Sequence, residues 1–132
     1  MPTLTTSLAI MLGGAFGTGL RLWLSALLAM KYGETFPVGT LAANVLGSFV
    51  ISFFAGLAGP DGPFLVSALT RQVVMIGVLG GFTTFSSLSF QTLNLLNDSQ
   101  WARAGANVGL SFALCMVAVW LGQIAAQALT QR

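Results

Sequence analysis

Long uncharged stretches dominate the hydrophobic pattern of this chain and determine its predicted helices. The eight charged residues leave four long uncharged intervals, of 20, 26, 26 and 28 residues. A helix needs about 20 mostly apolar residues to cross the hydrocarbon core of a bilayer. We therefore predict an all-α membrane protein with a single transmembrane domain over residues 1–132. The predicted spans are 4–30, 38–58, 73–96 and 104–129.

Turn-forming residues separate these spans into two helical hairpins. Pro37 is placed to open the second helix, where its missing N–H costs nothing. The run Gly-Pro-Asp-Gly-Pro at 59–63 is the strongest turn signal and divides the hairpins. The first ten residues contain no basic side chain, so we expect the first apolar stretch to be a retained helix rather than a secretory signal peptide.

Composition supports the membrane assignment and argues against several functions. Apolar residues make up 55% of the chain and charged residues only 6%, whereas soluble domains carry about 25% charged residues. The net charge of +2 comes from scattered residues, so no nucleic-acid partner is expected. There is no histidine, the single cysteine is Cys115, and the three carboxylates fall outside the spans. Acid–base catalysis has almost no groups to use, so we do not expect an enzyme.

Basic residues near the span ends show no preferred orientation. Arg71 and Arg132 fall on the side that holds both termini, and Lys31 and Arg103 fall on the other side. Because Lys and Arg in short loops orient membrane proteins, an even balance predicts insertion in both directions. Such insertion is what an antiparallel homodimer requires. A heterodimer with a sister chain is the alternative.

Small residues recur four positions apart in every span. The pairs are Gly13/Gly17, Ala43/Gly47, Gly77/Gly81 and Gly105/Gly109. This spacing lets helix backbones approach closely in lipid, either within the subunit or between subunits. Together the four pairs favour a dense helical assembly.

Uncharged polar residues form stripes on two of the predicted helices. Thr40, Asn44 and Ser48 recur every fourth residue in the second span, and Asn107 and Ser111 do so in the last. Residues at this spacing share one helix face. Each could form an interhelical hydrogen bond, which contributes about 0.6–2 kcal/mol in membranes. Two stripes in so small a protein favour a solvated track instead.

The third span contains its own weak point at 80–87, where two adjacent glycines precede a run of hydroxyl residues. Glycine weakens a helix, and hydroxyl side chains offer its backbone substitute hydrogen bonds. We predict a helix break near the middle of the membrane. Unwound carbonyls there would suit a hard cation such as sodium. The alternative is an unbroken, flexible helix with glycine at a packing contact.

Three segments and one polar pair resemble the Fluc (CrcB-type) fluoride channel family over nearly the whole chain. They are GGAFGTGLR at 13–21, PVGTLAANVLGSF at 37–49, GGFTTFSSLSFQT at 80–92, and the Asn107/Ser111 pattern. The resemblance implies a passive, fluoride-selective channel in the bacterial plasma (inner) membrane that exports fluoride from the cytoplasm. It also implies an antiparallel dual-topology dimer with two pores at the subunit interface and a central structural sodium ion.

The resemblance also assigns roles to residues of this chain. The backbone carbonyls of Gly80 and Thr83 would hold the sodium ion, and Arg21 would lie in an aqueous vestibule. The residues expected to line a pore or bind fluoride are Thr40, Asn44, Ser48, Phe85, Ser86, Leu88, Asn107 and Ser111. Neutral amides and hydroxyls can replace the water of fluoride without trapping the ion, and the electropositive edge of a phenylalanine ring is a weaker partner.

Two positions depart from the usual family pattern. Leu88 stands where a second pore phenylalanine is usual, and Gln91 stands where a glutamate is usual. Because leucine has no aromatic quadrupole, we expect Phe85 to supply most of the aromatic contribution and conduction to be slower than in relatives that have both rings. The alternatives are a small proton-coupled multidrug exporter, which needs a carboxylate within a span, and a non-transporting structural membrane subunit.

Overall fold

Four helices of the protein are long and apolar enough to cross a membrane, as predicted. The computed structural model describes residues 1–131, which form no β-strand. α1 is Leu4–Tyr32 and α2 is Val38–Ala58. The last helix, Trp101–Thr130, begins three residues before its predicted span. The protein is therefore an all-helical, multi-pass membrane protein.

The third membrane-crossing element, Ala68–Asn97, consists of two helices. α3 covers 68–82 and contains a π-helical stretch at Val73–Val78. α4 is Phe85–Asn97, so the last helix is α5. Neither the π-helical stretch nor the start of α3 five residues before the predicted span was expected. Wider turns of this kind are rare and often lie near functional sites.

The predicted break in the third element is confirmed, and it lies just after the two glycines. Gly80 and Gly81 remain helical. Thr83 and Thr84 are extended, with ψ angles of 158° and 117°. The hydroxyl of Thr84 accepts a hydrogen bond from the Ser87 N–H at 3.2 Å and so caps α4. The position of the break therefore follows from the cap at Thr84 rather than from glycine flexibility alone.

Small residues hold α1 against α3. A methyl group added to Gly13 would lie 2.9 Å from the Val73 carbonyl oxygen, and one added to Gly77 would lie 2.7 Å from that of Ile10. These distances leave no room for a side chain, so the backbones themselves are in contact. Gly47 of α2 approaches the Thr83 side chain in the same way. Three of the four predicted pairs therefore include a residue that packs closely within the subunit.

The fourth pair, Gly105 and Gly109, makes no such contact. A methyl group on either would meet no atom within 4 Å in the described part of the chain. The rest of α5 packs along α2, where Ala43 and Ala126 are almost completely buried. The N-terminal half of α5 thus presents an open, small-residue face beside α4.

Candidate functional site: a polar groove at the helix break

The side chain of Asn44 binds the extended backbone of Thr84 from α2. Its Oδ1 accepts a hydrogen bond from the Thr84 N–H at 2.7 Å, and its Nδ2 donates to the Thr84 carbonyl oxygen at 3.0 Å. Asn44 is only 8% exposed. One amide side chain therefore satisfies both backbone groups of Thr84, which the helix break releases. The second hydrogen of Nδ2 remains as a donor.

A groove of about 490 Å³ opens beside this junction, between α2, α3, α4 and α5. Its lining includes seven residues predicted to act in conduction or sodium binding: Asn44, Ser48, Gly80, Thr83, Phe85, Leu88 and Ser111. Most of the remaining lining is apolar, including Met75, Phe112 and Cys115. The groove is thus an open, mostly apolar cleft with a few neutral polar groups.

Phe85 and Leu88 both line the groove, as their positions on α4 predict. The Phe85 side chain is 80% exposed in the single subunit. Exposure of a large aromatic ring beside a polar groove is typical of a surface that another helix covers in lipid or in an assembly.

The two residues of the polar stripe on α5, Asn107 and Ser111, are buried and have unsatisfied oxygens. Asn107 is fully buried, and its Nδ2 donates to the Thr92 hydroxyl at 3.0 Å. Thr92 in turn donates to the Leu88 carbonyl at 2.7 Å. The Asn107 Oδ1 and the Ser111 Oγ have no partner among residues 1–131. Buried polar atoms are rarely left unpaired, so both positions suit a bound water or ion.

Three residues of the predicted pore set lie outside this groove. Asn107 is buried between α4 and α5. Ser86 is exposed, and its hydroxyl lies 3.2 Å from that of Thr84 in the capping network. Thr40 lines a separate pocket of about 280 Å³ with Ser25, Glu34 and Gln91. The roles of these residues remain predictions.

Arg21 of α1 also contacts the backbone beside the helix break. The side chain is half-buried, and its Nε donates to the Gly81 carbonyl at 3.1 Å. The Thr18 hydroxyl lies 3.5 Å from the same oxygen. A cation near the C-terminal end of α3 is stabilised by the helix dipole. Sequence reasoning missed this contact, and the only signal for it was the spacing of Thr18 and Arg21, which places them on one face of α1.

The carbonyl groups of Gly80 and Thr83 fit the predicted sodium site. Neither oxygen accepts a hydrogen bond from another group in residues 1–131, whereas the neighbouring carbonyls of Leu79, Gly81 and Thr84 do. Free carbonyl oxygens are the ligands that hard cations prefer. The part of the chain that the structure describes holds no cluster of histidine, cysteine and carboxylate side chains for a metal ion.

The fold and the groove define a small four-span membrane protein with a mostly apolar groove, carrying a few uncharged polar groups, beside a broken helix. The family model described as "CrcB-like protein, Camphor Resistance (CrcB)" matches residues 8–123. The chain belongs to this family.

Curated relatives are similar over almost their whole length. A protein of Opitutus terrae is 64% identical over 119 residues, which cover 90% of both chains, and is named fluoride-specific ion channel FluC. Proteins with the same name in Methylocella silvestris and Rhodospirillum rubrum are 49% and 50% identical, over 92% of this chain and at least 93% of their own.

Proposed function

We propose that this protein is a passive, fluoride-selective channel that lets fluoride leave the cytoplasm. The observation that carries this proposal is the groove, in which neutral donors from Asn44, Ser48 and Ser111 lie beside the exposed ring of Phe85. Relatives that are similar over nearly the whole chain are named for fluoride.

The chemistry of the groove suits a small, strongly hydrated anion. Amide N–H and hydroxyl groups replace water as hydrogen-bond donors, and the absence of a fixed cation among the groove-lining residues allows the ion to leave. The ring edge of Phe85 carries positive partial charge and gives a weaker contact. Release is then as easy as entry, which conduction requires.

Passive transport is supported by the positions of the carboxylates. Glu34, Asp61 and Asp98 all lie in connections outside the helices and are exposed. A proton-coupled exporter needs a carboxylate within the membrane to exchange protons for substrate. This arrangement favours a channel over the exporter and over an enzyme.

A second, oppositely oriented copy would convert each groove into a closed pore. The groove is open in the single subunit, and Phe85 has no cover. In an antiparallel homodimer the two helix breaks would meet near the centre, where the Gly80 and Thr83 carbonyls of both copies could hold a structural sodium ion. The positive charge of the ion would offset the partial negative charge of these carbonyl oxygens. A heterodimer with a sister chain would place the same groups together.

Fluoride efflux from proteoliposomes tests the proposal. Vesicles loaded with both fluoride and chloride, with valinomycin to balance charge, should release fluoride down its gradient while chloride stays inside. Protein-free vesicles serve as the control. Equal chloride efflux, or fluoride efflux that occurs only with an imposed pH gradient, would contradict the channel.

A further inference from the structure

The helix break leaves two carbonyl oxygens without donors, those of Gly80 and Thr83. In a continuous α-helix the carbonyl oxygen of one residue accepts from the N–H four residues later. The donors for these two oxygens would therefore be the N–H groups of Thr84 and Ser87. Neither hydrogen bond forms in residues 1–131. Each of the two N–H groups is instead bound by a side chain.

Thr84 takes part in both of these substitute hydrogen bonds. Its N–H donates to the Asn44 Oδ1 at 2.7 Å, so this donor does not reach the Gly80 oxygen. Its hydroxyl oxygen accepts from the Ser87 N–H at 3.2 Å, so that donor does not reach the Thr83 oxygen. One residue therefore binds, or directs elsewhere, both donors that would continue the helix.

The Thr84 hydroxyl group is held in place by its backbone and by a further contact. Thr84 is extended, with a φ angle of −156°, which is the backbone conformation of a helix N-cap. Its hydroxyl hydrogen is donated to the Ser87 Oγ at 3.1 Å. The neighbouring Thr83 does not share this role, because its hydroxyl donates to the Leu79 carbonyl oxygen at 2.9 Å.

A cation at the break would have backbone oxygens rather than carboxylates as its protein ligands. The three carboxylate side chains lie outside the helices. The described residues also contain no group of histidine, cysteine and acidic side chains that could hold a metal ion. Hard cations accept carbonyl oxygens as ligands. Their affinity for the break would then depend on which carbonyl oxygens are free of internal donors.

We propose that Thr84 is a positioning residue for the sodium ion. It keeps the Gly80 and Thr83 oxygens free by occupying the N–H groups that would otherwise bind them. This inference rests on the structural sodium ion of the proposed function. Thr84 acts through the backbone and not as a ligand, since its own carbonyl oxygen accepts from the Asn44 Nδ2 at 3.0 Å.

Sodium-dependent thermal stability measures the ion site without transport. A ligand that binds the folded protein raises its unfolding temperature, and the titration gives an apparent dissociation constant. Purified full-length protein is titrated with sodium in detergent without fluoride, and an organic cation keeps the ionic strength constant. Thr84→Ala should raise the dissociation constant at least about fivefold, the factor expected from loss of a helix N-cap. Thr84→Ser keeps the hydroxyl and should stay within about twofold of the parent.

Ser89→Ala is the matched control. Ser89 lies on the same helix, but its hydroxyl donates to the Phe85 carbonyl oxygen at 3.0 Å and binds no backbone N–H. This variant should bind sodium like the parent. If Thr84→Ala yields too little folded protein, Thr84→Val, which also lacks the hydroxyl, takes its place with the same expected result.

Three results would overturn the role of Thr84. The parent could show no stabilisation by sodium, or the variants without the hydroxyl could bind sodium like the parent even if they unfold at a lower temperature. Thr84→Ser or Ser89→Ala could also weaken sodium binding as much as Thr84→Ala does. None of these results would contradict fluoride conduction, because the titration contains no fluoride and measures no flux. A failed efflux assay with an unchanged sodium titration would contradict the channel and leave the role of Thr84 in place.

Discussion

Replacing Asn44 by leucine should loosen the junction between α3 and α4. The two side chains are similar in size, but leucine can neither accept from the Thr84 N–H nor donate to its carbonyl oxygen. Both hydrogen bonds, at 2.7 Å and 3.0 Å, would be lost. The released backbone groups lie within a membrane-spanning element, where water does not readily replace a lost partner.

The size of the effect follows from these two bonds. Side-chain hydrogen bonds between membrane helices contribute about 0.6–2 kcal/mol each, so the loss should be about 1–4 kcal/mol. Polar groups left unpaired in a buried site move the value towards the upper end of that range. At about 1.4 kcal/mol per factor of ten, local opening at Thr84 should become at least fivefold more frequent.

Hydrogen–deuterium exchange at the Thr84 amide measures this opening directly. The matched control is Ser48→Ala, one helical turn further along α2, because Ser48 also lines the groove but is not one of the hydrogen-bond partners of the Thr84 backbone. Asn44→Leu should accelerate exchange at Thr84, and Ser48→Ala should not. If exchange in Asn44→Leu stays within twofold of the parent protein, Asn44 does not hold the helix break.

Three further outcomes are expected. Phe85→Leu should lower fluoride efflux at least tenfold, which is equivalent to about 1.4 kcal/mol of barrier, and Leu88→Phe should raise the efflux. Unchanged efflux in a folded Phe85→Leu protein would rule out the aromatic contribution. Gly17→Val should reduce the yield of monodisperse protein in size-exclusion chromatography, because a side chain there would overlap the Val78 carbonyl oxygen, whereas Gly105→Ala should behave like the parent. Accessibility labelling should find the C-terminus on both sides of the membrane, and lysines added to one terminus should fix one orientation and reduce efflux. Labelling on one side only would exclude the antiparallel homodimer.

Local sequence patterns were sufficient to predict the four spans and the break in the third. Spans depend on long local runs of apolar residues, and the break depends on a local run of glycine and hydroxyl residues, so neither requires knowledge of tertiary contacts. Predicting the exact position of the break, in contrast, requires knowledge of tertiary contacts. Thr84 becomes the cap of α4 because Asn44, 40 positions earlier in the chain, binds its backbone.

The polar stripes correctly predicted which residues lie on the same face of a helix, but not which of them line the same pocket. Thr40 and Asn44 lie one turn apart on α2, yet they line different pockets. On α4, Leu88 lines the groove with Asn44, whereas Gln91 lines the smaller pocket with Thr40. Periodicity gives the direction of a side chain from its own helix. Which neighbouring helix meets that face, and at what depth, depends on tertiary packing.

The carbonyl groups around the helix break are of two kinds: some accept a hydrogen bond from a side chain, and others have no donor. Arg21 binds the Gly81 oxygen and Asn44 binds the Thr84 oxygen, which leaves those of Gly80 and Thr83 without donors. Arg21 binds from α1 and does not line the groove, whereas the groove side carries the neutral amide of Asn44, so the fixed cation stays away from the proposed anion path. Had these two residues been exchanged, an arginine in the groove would attract fluoride but retain it, since conduction requires binding that also releases the ion. The arrangement of one charged and one neutral donor therefore stabilises the broken helix and keeps the groove free of a trapping charge.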